Sequence, residues 1–279
     1  MNIGIRLHDT APGTLEERLR GAKAQGFSCA HLALSKVVAG FRMADAPGRL
    51  ADPDFAREVR GAFEGTGLEC AVLGCYLNLA DPAEESRLKT RDIYFAHLRF
   101  AKEIGAGVVG TETPANAASP FAEDAPRSEE AFQFFLKCLE PVVRQAEETD
   151  TLLAVEPVWS HIVSTPEKAQ RMLEAMRSDH LRIILDAVNL LGPDTVEQAD
   201  AIVEDAIRRL GDRVSVLHMK DYRVADGKKE DIACGTGSMR YERLLRFAGE
   251  RKLPMTLENT TPENAEQARL LLERISETL

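Results

Sequence analysis

The sequence predicts an α/β protein of one domain over residues 1–279, folded as a closed (β/α)8 barrel. Three observations predict it. A short β-rich run followed by an amphipathic helix recurs eight times, with no other kind of unit between. The β-rich runs are almost continuously apolar, as strands buried on both faces must be. The first turn, IGIRLHDTAPG, lacks the G-x-G-x-x-G with which an open doubly wound sheet holds phosphate.

The elements follow in order. IGIRL opens the chain. TLEERLRGAKAQG is its helix, with Thr14 as cap, Glu17 three residues on to complete a capping box, and Gly26 as the stop. CAHLAL is the second strand, and its helix runs from about Asp52 to Thr66. LECAVLGCYL leads to EESRLKTRDIYFAHLRFAKEIG, closed by Gly105, and GVVGTETP leads to SEEAFQFFLKCLEPVVRQAEET. TLLAVEP precedes TPEKAQRMLEAM, and LRIILDAV precedes the helix ending IVEDAIRRLG. VSVLHMKD leads, through a longer loop in which Ser238 is placed to cap, to YERLLRFAGERK. PMTLEN and PENAEQARLLLERI close the chain. No linker or composition break interrupts the series.

Composition narrows the function. At 44% hydrophobic residues the chain can fill an ordinary core. A net charge of −10 argues against nucleic acid as a partner, because phosphate neutralisation needs clustered Lys and Arg. No apolar run of about 18 residues is present to span a membrane, and MNIGIRLHDT does not read as a signal peptide. The five cysteines follow no metal-knuckle spacing and read as buried small hydrophobes in a reducing compartment. A cytoplasmic protein is expected.

Chemistry is expected at the C-terminal ends of the strands, the active face of such barrels. Four successive strands end in Glu156, Asp186, His218 and Glu258. Three converging carboxylates repel one another unless something positive sits between them. A divalent cation resolves this, and three carboxylates with one imidazole suit Mn²⁺, with Mg²⁺ or Co²⁺ next, better than structural zinc. Substrate contacts are expected from His8 and Glu112 at the ends of strands one and four, Trp159 and His161 after Glu156, Asn189 after Asp186, and Lys220 and Arg223 after His218. Asp221 is expected to orient Lys220 or a water on the cation. His31, inside CAHLAL, reads as a hydrogen-bonded core histidine, and Cys234 is given no role.

The motifs AVEP, LDAVN, LHMKDYR and TLEN, with the helix entry GTGSMRYERLL, resemble the xylose-isomerase-like barrel superfamily of sugar isomerases and epimerases. The resemblance covers essentially the whole chain and is strongest to the ketose 3-epimerase and inosose dehydratase branches. It implies that Glu156, Asp186, His218 and Glu258 ligate the metal. Two departures stand out. Asn189 occupies a position where the epimerases commonly carry a substrate-contacting histidine, and VWSHIVST offers Trp159 and His161 where they often carry an acid.

The resulting expectation is a metal-dependent isomerase or epimerase of a ketose or related keto-sugar. Glu156 and Glu258 form its acid/base pair on opposite faces of one carbon, acting through an enediolate held at the cation. The alternative is a lyase that expels a β-hydroxyl from a keto-cyclitol or 3-keto sugar. A non-catalytic sugar-binding barrel is a weaker reading. A DNA-repair endonuclease is disfavoured by only six histidines and the acidic balance. Relatives often form dimers or tetramers, so a homo-dimer or homo-tetramer is expected.

Overall fold

The computed structural model describes residues 1–113 and 127–279. Eight parallel strands close into a barrel: β1 (Ile3–Arg6), β2 (Cys29–Leu32), β3 (Glu69–Gly74), β4 (Val108–Glu112), β5 (Leu153–Glu156), β6 (Leu181–Asp186), β7 (Val214–Met219) and, after a hairpin, β10 (Met255–Leu257). Closure comes from β1 pairing with β10, Ile3 opposite Met255.

The helices start and stop where local chemistry dictates. Thr14 and Glu17 form the expected capping box on α1 (Leu15–Ala24). Asp52 caps α4 (Pro53–Thr66) and Ser128 caps α6 (Glu129–Thr149). Gly67 and Gly105 end α4 and α5 (Glu84–Ile104) in the left-handed conformation. Two short helices, α2 (Leu34–Val37) and α3 (Ala46–Arg49), fill the second connection. The remaining outer helices are α7 (Pro166–Met176), α8 (Ala199–Leu210), α9 (Glu242–Arg251) and α10 (Ala265–Ser276). None of the described helices is long and apolar enough to cross a membrane.

Strand alternation sorts the core into two layers. One set of side chains packs outward against the helices, among them Ile5, Leu73, Val109, Leu153, Ile183 and Leu217. A smaller set fills the barrel: Cys29, Ala71, Val72, Val108, Ala154, Ile184 and Val216. Two residues beyond these inward positions lie His31, Gly110, Glu156, Asp186 and His218. The same inward face that packs the core therefore delivers its next residue to the C-terminal mouth.

Two local expectations are corrected. The connection after β7 is not an irregular loop but an antiparallel hairpin, β8 (Asp221–Ala225) with β9 (Lys228–Ile232). Ser238 does not cap α9. Its backbone N–H donates to Tyr222 O at 2.9 Å, and α9 starts four residues later without a side-chain cap. Gly237 has no room for a side chain, because a Cβ there would fall 2.1 Å from Tyr222 O.

Candidate metal centre and active site

The four residues from strands five to eight meet. His218 lies between two carboxylates, with Nδ1 3.0 Å from Glu156 Oε2 and 3.2 Å from Glu258 Oε1. Ligand atoms of Glu156, Asp186 and His218 lie within 4.8 Å of one another, all buried. Asp186 Oδ1 accepts the backbone N–H groups of Val188 and Asn189, which fixes its orientation and leaves Oδ2 free of hydrogen-bond geometry. Among the described residues, neither ring nitrogen of His218 has a well-aligned hydrogen-bond partner. Buried polar atoms are rarely left this way. Carboxylate oxygens converging on one imidazole nitrogen fit a divalent cation.

Lys220 belongs to this cluster. It is 5% exposed, and its Nζ lies 3.1 Å from Asp186 Oδ2, 3.8 Å from Glu258 Oε2 and 3.2 Å from Asp231 Oδ2 on the hairpin. Nζ also donates to Asn189 Oδ1 at 2.7 Å, and Asn189 Nδ2 donates to Glu156 Oε1 at 2.6 Å. The amide thus links the Lys220 ammonium to the Glu156 carboxylate, a role that needs both a donor and an acceptor.

Charge crowding shifts the ionisable groups. Burial opposes the charge on His218, but Glu258 and Glu156 outweigh it and lift the imidazole to about 9. Burial would raise Glu258, yet His218, Lys220 and Arg6 hold it at about 2. Burial, with the charges of Glu156 and Glu258, pushes Glu112 up to about 8. Burial also raises Asp186 to about 6 despite Lys220.

A cavity of about 430 Å³ opens above the cluster. Glu258, Asn189, Lys220, Glu112, His161 and His8 all line it. Glu156, Asp186 and His218 lie beneath. His161 Nδ1 faces Glu112 Oε2 at 3.7 Å across one wall. Burial and the neighbouring Arg6 depress His8 to about 4.

Three expectations do not hold as placed. Arg223 points away from the cavity, on the exposed side of the hairpin, where it pairs with Glu230 at 2.7 Å. Trp159 does not line the cavity either. Its ring rests on Gly192, where any Cβ would fall 2.0 Å from the indole, and Arg127 stacks on it at 3.9 Å. Asp221 touches neither Lys220 nor the cluster through its carboxylate. Its oxygens accept from the backbone of Tyr222, Gly235, Gly237 and Met239 and from the Tyr241 hydroxyl, so it pins the hairpin and the loop before α9.

Three residues at the mouth were missed. Arg6 bonds Asp9 and Asn259, and its Nη1 sits 3.4 Å from Glu258 Oε2. Tyr76 reaches the cavity with a buried hydroxyl that has no partner among the described residues. His31 is 2% exposed, but it is not the satisfied core histidine expected, since neither ring nitrogen has a partner among the described residues. Period-two counting along β1 and β2 from Gly4 and Cys29 would have found Arg6 and His31.

A closed parallel barrel with a buried carboxylate–histidine cluster at its C-terminal mouth defines a class of metal-site barrels. The sequence profile of the xylose isomerase-like TIM barrel family matches residues 19–277, and the chain belongs to that family. The comparison with curated proteins found no match. Among solved structures, 3-keto-D-glucoside 4-epimerase from E. coli is similar at a TM-score of 0.76 and 18% identity, covering 98% of this chain and 99% of that one. A D-tagatose 3-epimerase-like protein matches at a TM-score of 0.76 and 16% identity, over 100% and 98%. The IOLI protein, solved with a bound zinc atom, matches at a TM-score of 0.68 and 15% identity, over 100% and 97%. At these identities the likeness is one of fold.

Proposed function

We propose that this protein is a divalent-metal-dependent isomerase or epimerase of a ketose or related keto-sugar. One observation carries the reading. Glu156 and Glu258 each bring a carboxylate oxygen to the same His218 Nδ1, at 3.0 and 3.2 Å, at the floor of a cavity of sugar size that Glu258 lines. A cation bound by Glu156, Asp186, His218 and Glu258 would supply a Lewis acid that acidifies the C–H beside a carbonyl, and this oxygen-rich set suits Mn²⁺, then Mg²⁺ or Co²⁺.

Glu258 opens on the cavity and is kept ionised by His218, Lys220 and Arg6, so it removes the proton. Glu156, in its protonated form, returns its own proton from the other face once Asn189 turns its amide to a substrate hydroxyl, and exchange with solvent through the cavity then takes the abstracted proton from Glu258 and restores one to Glu156. Lys220, His8 and His161 hold further hydroxyls along the walls. Proton return to the same carbon epimerises the sugar, and return to the neighbouring carbon isomerises it.

The Glu112–His161 pair favours a second reading. It places another proton carrier on the cavity wall, which is what expulsion of a β-hydroxyl requires. The test is incubation of the metal-loaded protein with ketoses and keto-cyclitols in D₂O. Carbon-bound deuterium without new ultraviolet absorbance supports epimerisation or isomerisation. A new conjugated-carbonyl absorbance supports the dehydratase. Binding with neither change would overturn both.

A further inference from the structure

We propose that His31 is a metal ligand, placed on β2 to give the cation seat a second imidazole and so select ions that accept nitrogen over Mg²⁺. The proposal rests on the metal-dependent reading above. His31 faces inward two residues after Cys29, so strand alternation aims it at the mouth. Its ring is buried, and neither nitrogen has a hydrogen-bond partner among the described residues. A buried imidazole normally engages at least one nitrogen. Nδ1 faces Glu258 Oε1 at 3.9 Å, the same oxygen that lies 3.2 Å from His218 Nδ1.

His31, His218 and Glu258 offer ligand atoms within 4.8 Å of one another, as Glu156, Asp186 and His218 do. Both triads contain His218, and a neutral imidazole binds one ion. They are therefore two sides of one seat, not two seats. The His31 ring is held in place for this. It stacks on His218 at 5.3 Å and 17°, with Tyr76 5.6 Å away on β3's extension and His8 edge-on at 6.4 Å. Gly74 makes the space, because a Cβ there would fall 2.8 Å from His31 Nε2.

Adding an imidazole changes the chemistry of the seat. Mg²⁺ prefers oxygen ligands and keeps its waters, whereas Zn²⁺ and Co²⁺ bind imidazole readily. The experiment is X-ray absorption at the zinc edge of the unaltered protein holding one Zn²⁺ per chain. It is paired with Zn²⁺ and Mg²⁺ titrations of wild type and His31→Gln. The expected result is scattering from two imidazoles. In the variant, Zn²⁺ binding weakens by about 10- to 100-fold while Mg²⁺ binding changes less than about threefold. One imidazole, or equal weakening for both ions, overturns the role of His31 and leaves the metal-dependent reading standing. Failure of the wild type to bind Zn²⁺, Co²⁺, Mn²⁺ or Mg²⁺ overturns that reading itself. The absorption measurement needs no variant, so it decides the matter even if His31→Gln does not fold.

Discussion

The mouth of the barrel has two unlike halves. On β5 to β7 and just beyond β10, Glu156, Asp186, His218 and Glu258 form one compact buried set around Lys220. On β1 to β4 and the adjoining turn, Arg6, His8, His31, Tyr76 and Glu112 spread around the cavity wall. The first half concentrates charge and shares hydrogen bonds through Asn189. The second half is mostly rings and one guanidinium, with several nitrogens and a hydroxyl left without partners among the described residues. The first half suits a cation, and the second, apart from His31, suits the hydroxyls of a sugar. A site with this division performs chemistry on one side and recognition on the other.

The sharpest test compares one acid from the first half with one hydroxyl from the second. Glu258→Gln is expected to lower solvent-hydrogen exchange into substrate by about 10³-fold, while Tyr76→Phe lowers it about tenfold. Equal losses, read by deuterium incorporation, would break the division. Next comes the cation. Asp186→Asn is expected to weaken Mn²⁺ binding by about 100-fold or more, and His8→Gln by less than about threefold, both read by calorimetry.

Acidity separates the halves in another way. His218 is held protonated up to about 9, and a metal ligand must be neutral, so cation binding displaces its proton. Affinity is therefore expected to rise about tenfold per pH unit up to about pH 9, and to fall as pH drops. His8, depressed to about 4, is already neutral across that range and adds no step near 6.5. Titrations at pH 6, 7 and 8 in the same salt check this, and a flat profile would contradict the charge arrangement around His218.

Smaller effects test the supports. Asp221→Asn keeps the size but loses a carboxylate that accepts five hydrogen bonds, and is expected to cost about 2–3 kcal/mol in thermal or denaturant unfolding. Arg223→Ala, on the outer side of the same hairpin, is expected to change stability by less than about 0.5 kcal/mol and exchange by less than about twofold. A large effect there would return Arg223 to the site.

The two halves also differ in how legible they were. Glu156, Asp186, His218 and Glu258 end consecutive apolar runs with one chemistry, so their convergence follows from the barrel itself. His31 lies within CAHLAL and Arg6 within IGIRL, where an apolar run reads as core and hides an inward-facing polar residue. Tyr76 lies within the run LECAVLGCYL but two residues past the observed end of β3 at Gly74, where strand alternation no longer fixes its direction. Arg223 was drawn in by its nearness to His218 in sequence. The hairpin register that pairs it with Glu230 turns it outward.

The sequence alone determined the barrel, because eight alternations of period-two and helical patterning leave few other ways to bury every strand on both faces. It determined the capping of α1 and α4 and the stops at Gly67 and Gly105, which depend on neighbours in the chain. It placed the four acidic and imidazole residues at one rim. Only the tertiary structure decided which residues of the other strands face that rim. It also decided that Asn189 bridges Lys220 to Glu156, and that Asp221 pins a loop instead of the cluster. Those contacts join residues about 20 to 35 positions apart, and their geometry comes from barrel closure and hairpin register, which no local pattern encodes.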